Sequence, residues 1–265
     1  MKSAPIVNRQ PQKATGVRLA RRVAVAVAIA LAAISVYLNV ALGRAALRYY
    51  DAGEALRLDP AGLKAFAGDR EKPAPIEPLV VFFGDSRAFM WSAPTAPTGY
   101  RIVNRGISWQ TTAQMLLRFD ADVLSLHPQA VVIEAGINDL KMIARFPERR
   151  AEIVADCKAN LERLVDRSVG IPATVVLVTV FDIGDVSLWR RPFWSDDVAS
   201  AVHDVNAFLA KLARSNVIVF DANAVLEGSR GEIARGYELD YLHLSPSGYS
   251  ALNSRLVPLL LTLHK

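Results

Sequence analysis

Apolar residues follow two patterns along this chain, and the change between them divides it. Residues 23–42 carry no charge and are mostly Ala, Val, Ile and Leu. A helix of that length, at 1.5 Å rise per residue, spans about 30 Å, the hydrocarbon thickness of a bilayer. From Leu79 onward the apolar residues instead come in short runs, at 79–83, 100–104, 130–135, 174–181 and 217–220. Each run is rich in Val, Ile or Phe and bounded by Gly, Pro or polar residues, which predicts strands. The intervening segments 112–126, 148–167, 195–213 and 246–263 have helical character, the last with a bend at Pro258. Repeated alternation of near-continuous apolar strands with helices predicts an α/β domain, its parallel sheet covered on both faces.

Four regions follow. Residues 1–22 are basic, contain two prolines and read as a disordered tail; residues 23–42 read as a transmembrane anchor. Residues 43–78 read as a stalk. Within it, 45–58 has helical periodicity, Asp59-Pro60 could start a short helix through Phe66, and Lys72-Pro73-Ala74-Pro75-Ile76-Glu77-Pro78 is a stiff linker. The last region is a domain at 79–265. A cleaved signal peptide has an apolar core of about 7–15 residues, so the longer run here reads as uncleaved, although Ala41-Leu42-Gly43 could serve as a cleavage site. The basic lead puts the N-terminus in the cytoplasm by the positive-inside rule. The expectation is a single-pass protein of the cytoplasmic membrane, with the domain on the periplasmic or extracytoplasmic side.

Charge changes this picture in one respect. The formal net charge is +5, but residues 1–44 hold seven basic residues and no acidic one. The remainder is therefore slightly acidic, and a nucleic-acid-binding face is not expected. The single cysteine, Cys157, allows no intrachain disulfide and no multi-cysteine metal site. It falls in the helical segment 148–167 and reads as a packed core residue.

Candidate chemistry sits where strands end. Leu79-Val80-Val81-Phe82-Phe83 is broken by Gly84-Asp85-Ser86, and apolar character returns at Ala88, so Ser86 stands at a strand's carboxyl end before a helix. Open α/β sheets bind ligands at that edge, and N–H groups at a helix start favour negative charge. Ser86 is a candidate nucleophile; the alternative is a simple helix cap. Asp240-Tyr241-Leu242-His243 carries a carboxylate and an imidazole three residues apart, so the acid could orient the ring and leave Nε2 free as a base. Gly106 and Asn138 follow two further strands; one allows a close backbone N–H, the other offers a carboxamide donor to a developing oxyanion. Arg87 could bind a substrate or pair with a local carboxylate. Trp109 could stack on a sugar ring or pack as a core indole. The aromatic and basic stretch Trp189-Arg190-Arg191-Pro192-Phe193-Trp194-Ser195 could wall or lid the site. His127, His203 and His264 are assigned no chemistry, and Asp240 with His243 lacks a third metal ligand nearby.

Gly84-Asp85-Ser86, Asn104-Arg105-Gly106, Gly136-Ile137-Asn138-Asp139 and Asp240-Tyr241-Leu242-His243-Leu244-Ser245 resemble, in order, the blocks of the SGNH hydrolases, or GDSL esterases. The resemblance covers residues 79–265 and departs from the GDSL pattern at Arg87, where leucine is usual. It implies a three-layer αβα, flavodoxin-like domain. It also implies Ser86 as nucleophile, His243 as base, Asp240 as its partner, and Ser86, Gly106 and Asn138 as oxyanion donors. An α/β-hydrolase is a poorer match, because Gly-x-Ser-x-Gly is absent. The expected activity is hydrolysis of an O-acyl ester, such as an acetyl ester of a small molecule or envelope glycan, without metal or organic cofactor. Transfer of the acyl group to a glycan hydroxyl is the alternative from the same site, and a non-catalytic envelope binding protein is a third reading.

Overall fold

The computed structural model describes residues 13–70, 78–94, 99–228 and 233–263. The first twelve residues of the expected tail, the linker up to Glu77 and His264 lie outside the described residues. Two compact units divide at Leu58 and Asp59.

The first unit contains helix α1, Lys13–Leu58. It has no break at the junctions expected near residues 22 and 43, so the basic lead from Lys13 onward, the apolar segment and the first part of the stalk are one helix. After Pro11 no proline occurs before Pro60, and Ala, Arg and Leu are strong helix formers. At 1.5 Å per residue α1 is about 70 Å long, roughly twice a bilayer's hydrocarbon core. Its apolar side chains are exposed throughout the span. Asn39 Nδ2 donates to the Ser35 carbonyl at 2.8 Å, which partly satisfies a polar group in the apolar segment.

In the second unit the expected strands form one parallel sheet. They are β1 (Leu79–Gly84), β2 (Arg101–Gly106), β3 (Ala130–Glu134), β4 (Thr174–Val178) and β5 (Val217–Phe220). Their spatial order is β2-β1-β3-β4-β5, the flavodoxin-like order, and every pairing is parallel. Side-chain alternation along β1 explains the layers. Val81 and Phe83 enter one core with Met115, Phe119, Cys157 and Val202, while Val80 and Phe82 enter the other with Trp91, Leu252 and Leu256. The first face is therefore covered by α4 (Thr112–Asp122), α6 (Arg150–Val169) and α7 (Asp197–Leu209), and the second by α8 (Ala222–Leu226) and α9 (Pro246–Thr262). Cys157 is buried as expected, and burial pushes its thiol well up from the usual value. Three short α-helices also belong to the described part of this unit: α2 (Ala67–Arg70), α3 (Ser86–Phe89) and α5 (Ile137–Leu140).

Residues 59–70 differ from the expected stalk, since they pack on the domain. Asp59 starts no helix through Phe66. Its carboxylate accepts from the N–H groups of Leu63 and Lys64 at 2.8 and 2.9 Å, and Gly62 at φ +71° turns the chain out of helical geometry. The carbonyls of Pro60 and Ala61 accept from the side chains of Gln114 and Gln110. Arg105 pairs with Asp69 at 2.9 Å and lies over the Phe66 ring. The compact unit thus begins ahead of the expected boundary at Leu79 because its backbone carbonyls and Asp69 complete hydrogen bonds on the domain surface.

Candidate active site

The order β2-β1-β3 makes β1 the point where the chain's crossovers reverse direction, so the loops after β1 and β3 diverge and leave a crevice. Ser86 follows β1, Gly106 ends β2 and Asn138 follows β3; α9 closes from the opposite face with His243 just before it. All four expected positions therefore belong to one edge of the sheet or to the loop that faces it.

Asp85 caps α3, its Oδ1 accepting from the Arg87 N–H at 2.9 Å, so Ser86 occupies the first helical position. Ser86 Oγ lies 3.0 Å from His243 Nε2. On the other side of the ring, Nδ1 lies 3.0 and 2.9 Å from the two carboxylate oxygens of Asp240. Asp240 Oδ1 also accepts from the N–H groups of Leu242 and His243, at 2.8 and 2.9 Å, so a tight turn locks the acid beneath its ring. Burial pushes the Asp240 carboxyl up, but these hydrogen bonds and the His243 partner together hold it below its usual value. Ser245 caps α9 through the Gly248 N–H, with Pro246 in the first turn, which fixes the helix start three residues beyond His243.

The expected oxyanion donors are arranged less uniformly. Asn138 is buried in α5, and Gly136, the residue that caps this helix, has a left-handed backbone conformation, φ +121°, that strongly favours glycine. Asn138 Nδ2 donates to the Gln110 carbonyl at 3.0 Å; the second hydrogen of that nitrogen has no partner among the described residues. Gly106 has a packing role: a Cβ there would lie 2.2 Å from the Phe89 backbone nitrogen. Its N–H donates to Asn104 Oδ1 at 2.8 Å and is thus already engaged.

Of the two readings of Arg87, the structure follows the pairing with a local carboxylate and not the substrate contact. Arg87 is fully buried, with Nε donating to the Leu242 carbonyl at 2.7 Å and a terminal nitrogen to the Phe181 carbonyl at 3.0 Å. Glu134 lies 4.0 Å from its guanidinium, and the Arg87 backbone carbonyl accepts from Tyr249 Oη at 2.8 Å. The Arg87 side chain turns inward to the Leu242 and Phe181 carbonyls, so it ties the serine turn to the residue preceding His243. Burial raises the carboxyl pKa values of both Asp85 and Glu134; the neighbouring guanidinium opposes both shifts. Arg87→Leu, which restores the usual GDSL residue, should therefore lower unfolding stability by about 3–5 kcal/mol, the cost of leaving a buried charge unpaired. Chemical denaturation measures this, and an unchanged midpoint would remove the tether from the account.

Trp109 is the opposite case. It is 77 % exposed, with φ +71°, and its ring lies 4.2 Å from Lys141 Nζ, so it is not a packed core indole. The 189–195 stretch borders the site: Arg190 donates to Tyr241 Oη at 3.2 Å, and Trp194 meets the Tyr241 ring edge-on. Trp189 and Phe193 remain exposed. His127 and His203 are exposed and outside this cluster.

Three further residues contact these groups. Lys141, which caps the C-terminal end of α5, donates to Asn138 Oδ1 three residues earlier, a short separation that the sequence does show. Buried Arg118 donates to the carbonyls of Gly84 and Arg105 and to Gln110 Oε1, joining the ends of β1 and β2. Asp139 accepts from the N–H and hydroxyl of Thr112, and burial pushes its carboxyl up to about 6. A surface-type residue at a core position carries no periodic signal, so Arg118 was not distinguishable.

The profile of the GDSL-like lipase/acylhydrolase family matches residues 82–251, more than half of the sequence. The chain belongs to this family. This GDSL-family hydrolase resembles several solved structures. A GDSL-like lipase from Bacteroides thetaiotaomicron is 24 % identical with a TM-score of 0.62, the match covering 76 % of this chain and 97 % of that one. A Bacteroides fragilis protein thought to be an acylhydrolase is 25 % identical with a TM-score of 0.64, covering 77 % and 99 %. A catalytic mutant of an acetylxylan esterase from Geobacillus stearothermophilus is 21 % identical with a TM-score of 0.50, covering 71 % and 96 %. No curated protein matches the sequence.

Proposed function

We propose that this GDSL-family hydrolase is a membrane-anchored serine esterase that removes an O-acyl group, such as acetyl, from a cell-envelope glycan. The observation that carries the reading is the unbroken Asp240–His243–Ser86 hydrogen-bond chain. In this mechanism Ser86 Oγ attacks the ester carbonyl while His243 Nε2 takes its proton. Asp240 holds the ring and stabilises the imidazolium. The tetrahedral oxyanion receives the Ser86 N–H and the unpartnered Asn138 N–H. Gly106 N–H contributes only if it shares or releases its bond to Asn104. Collapse breaks the C–O bond, and His243 returns its proton to the departing sugar oxygen. Water then attacks the acyl-enzyme, again losing a proton to His243, and releases the acid and free Ser86. No metal or organic cofactor is required.

Hydrolysis is favoured over acyl transfer because the site is open to water, with the Asp240 and His243 side chains 47 % and 23 % exposed. The exposed Trp109 ring supports a sugar ring as the alcohol portion, since an indole face stacks well on apolar C–H groups. The acetyl assignment draws on the named substrate class of the acetylxylan esterase with the same fold. Anchoring draws on the exposed, uncharged segment of α1, and the basic lead supports a cytoplasmic N-terminus with an extracytoplasmic domain.

An acetylated oligosaccharide incubated with an unacetylated acceptor tests the assignment. Release of free acetate with an unlabelled acceptor is expected; acetyl appearing on the acceptor would replace hydrolysis by transfer. Asn138→Ala should lower kcat by about 10²–10³, the usual effect of losing one oxyanion donor. Steady-state kinetics on a chromogenic acetate ester checks this, and an unchanged kcat would remove Asn138 from the site.

A further inference from the structure

Lys141 is used by no step above, yet its ammonium lies against the oxyanion donor. Asn138 and Lys141 share one turn, and Nζ donates to Asn138 Oδ1 at 2.5 Å. On the other side of the carboxamide, Nδ2 donates to the Gln110 carbonyl at 3.0 Å. An ammonium can only donate and a carbonyl can only accept. The two neighbours therefore permit one orientation of the amide, with oxygen at Lys141 and nitrogen at Gln110. Flipping it would set NH₂ against NH₃⁺ and oxygen against oxygen.

Both neighbours are themselves held. Gln110 is buried, its side chain donating to the Ala61 carbonyl and accepting from Arg118. The Lys141 ammonium lies over the Trp109 ring, 4.2 Å from its centre, and Trp109 holds a left-handed backbone that non-glycine residues seldom adopt. Burial lowers the Lys141 pKa and Arg87 adds to that, while the Asp85 charge opposes it.

We propose that Lys141 is a positioning residue that fixes the Asn138 carboxamide in its donating orientation and polarises the N–H presented to the oxyanion. The proposal rests on the serine-esterase reading above. A cation on the amide oxygen withdraws electron density from the nitrogen, so the remaining N–H binds a developing alkoxide more strongly than it binds the neutral ester carbonyl. Its benefit therefore falls on the transition state, and kcat responds more than KM.

The test is a double-mutant cycle in the full chain on a chromogenic acetate ester, with Lys141→Met, Lys141→Arg, Asn138→Ala and Lys141→Met/Asn138→Ala. Lys141→Met should lower kcat about tenfold or more, the scale of a hydrogen bond to a charged group, with KM changed less than about twofold. Lys141→Arg, which keeps a donor-only cation, should recover most of that loss. In the Asn138→Ala background, Lys141→Met should have no further effect, because the group it acts through is gone. Wild-type kcat in Lys141→Met, equal losses in Met and Arg variants, or additive losses in the double variant would each overturn the proposal. Failure of the underlying reading is separate: it would appear as ester turnover that survives Ser86→Ala.

Discussion

Ser86→Ala should abolish ester turnover while leaving the fold intact. The hydroxyl is the only group of this side chain that reaches His243 Nε2, at 3.0 Å, and alanine keeps the helical position capped by Asp85. Removing a nucleophile that works as a unit with its base costs about 10⁶ in kcat. His243→Ala added to Ser86→Ala should then cost almost nothing more, since residues of one catalytic unit are strongly non-additive. Unfolding midpoint and kcat measured on the same preparations separate chemistry from folding. A Ser86→Ala variant with wild-type turnover would remove the nucleophile assignment.

Asp240→Asn should be nearly as damaging, for a reason specific to this turn. Asp240 Oδ1 accepts two backbone N–H groups, from Leu242 and His243, so in asparagine the carbonyl oxygen must stay there. The amide NH₂ then takes the place of Oδ2, 2.9 Å from His243 Nδ1, and can only donate to it. The NH₂ against Nδ1 favours the ring proton on Nε2, in competition with the Nδ1–H form that the carbonyl oxygen, 3.0 Å from Nδ1, still accepts; a proton on Nε2 faces Ser86 Oγ and blocks proton acceptance. A wrong-tautomer imidazole lowers kcat by about 10⁴. The fold should be retained because both backbone bonds of the turn survive. Turnover within a few fold of wild type would show that Asp240 does not set the tautomer.

The parts of the protein legible in the sequence are those written as local periodicity. Val81 and Phe83 against Val80 and Phe82 announce a sheet buried on both faces, and the sheet and its two covering layers follow. The order of the four motif blocks along the chain resembles the family, and the crevice at β1 and β3 gathers their residues at one edge of the sheet. Long-range polar bonds were not legible. Arg87 looks like a ligand-binding cation beside the serine, but whether a guanidinium faces solvent or the core depends on acceptors at Phe181 and Leu242, far along the chain. Gly106 looks like a free N–H, yet Asn104 two residues earlier takes it. Residues 59–70 read as stalk because their partners, Arg105, Gln110 and Gln114, lie in a later segment. The uninterrupted α1 reflects the converse, a local propensity stronger than the change in composition at its charged ends.

The most direct measurement is covalent trapping with a fluorophosphonate, followed by peptide mapping. An activated serine should give one phosphonyl adduct on Ser86, lost in Ser86→Ala and formed far more slowly in Asp240→Asn. An unlabelled protein, or an adduct at any other residue, would contradict the assignment of Ser86 as the hydroxyl that His243 activates.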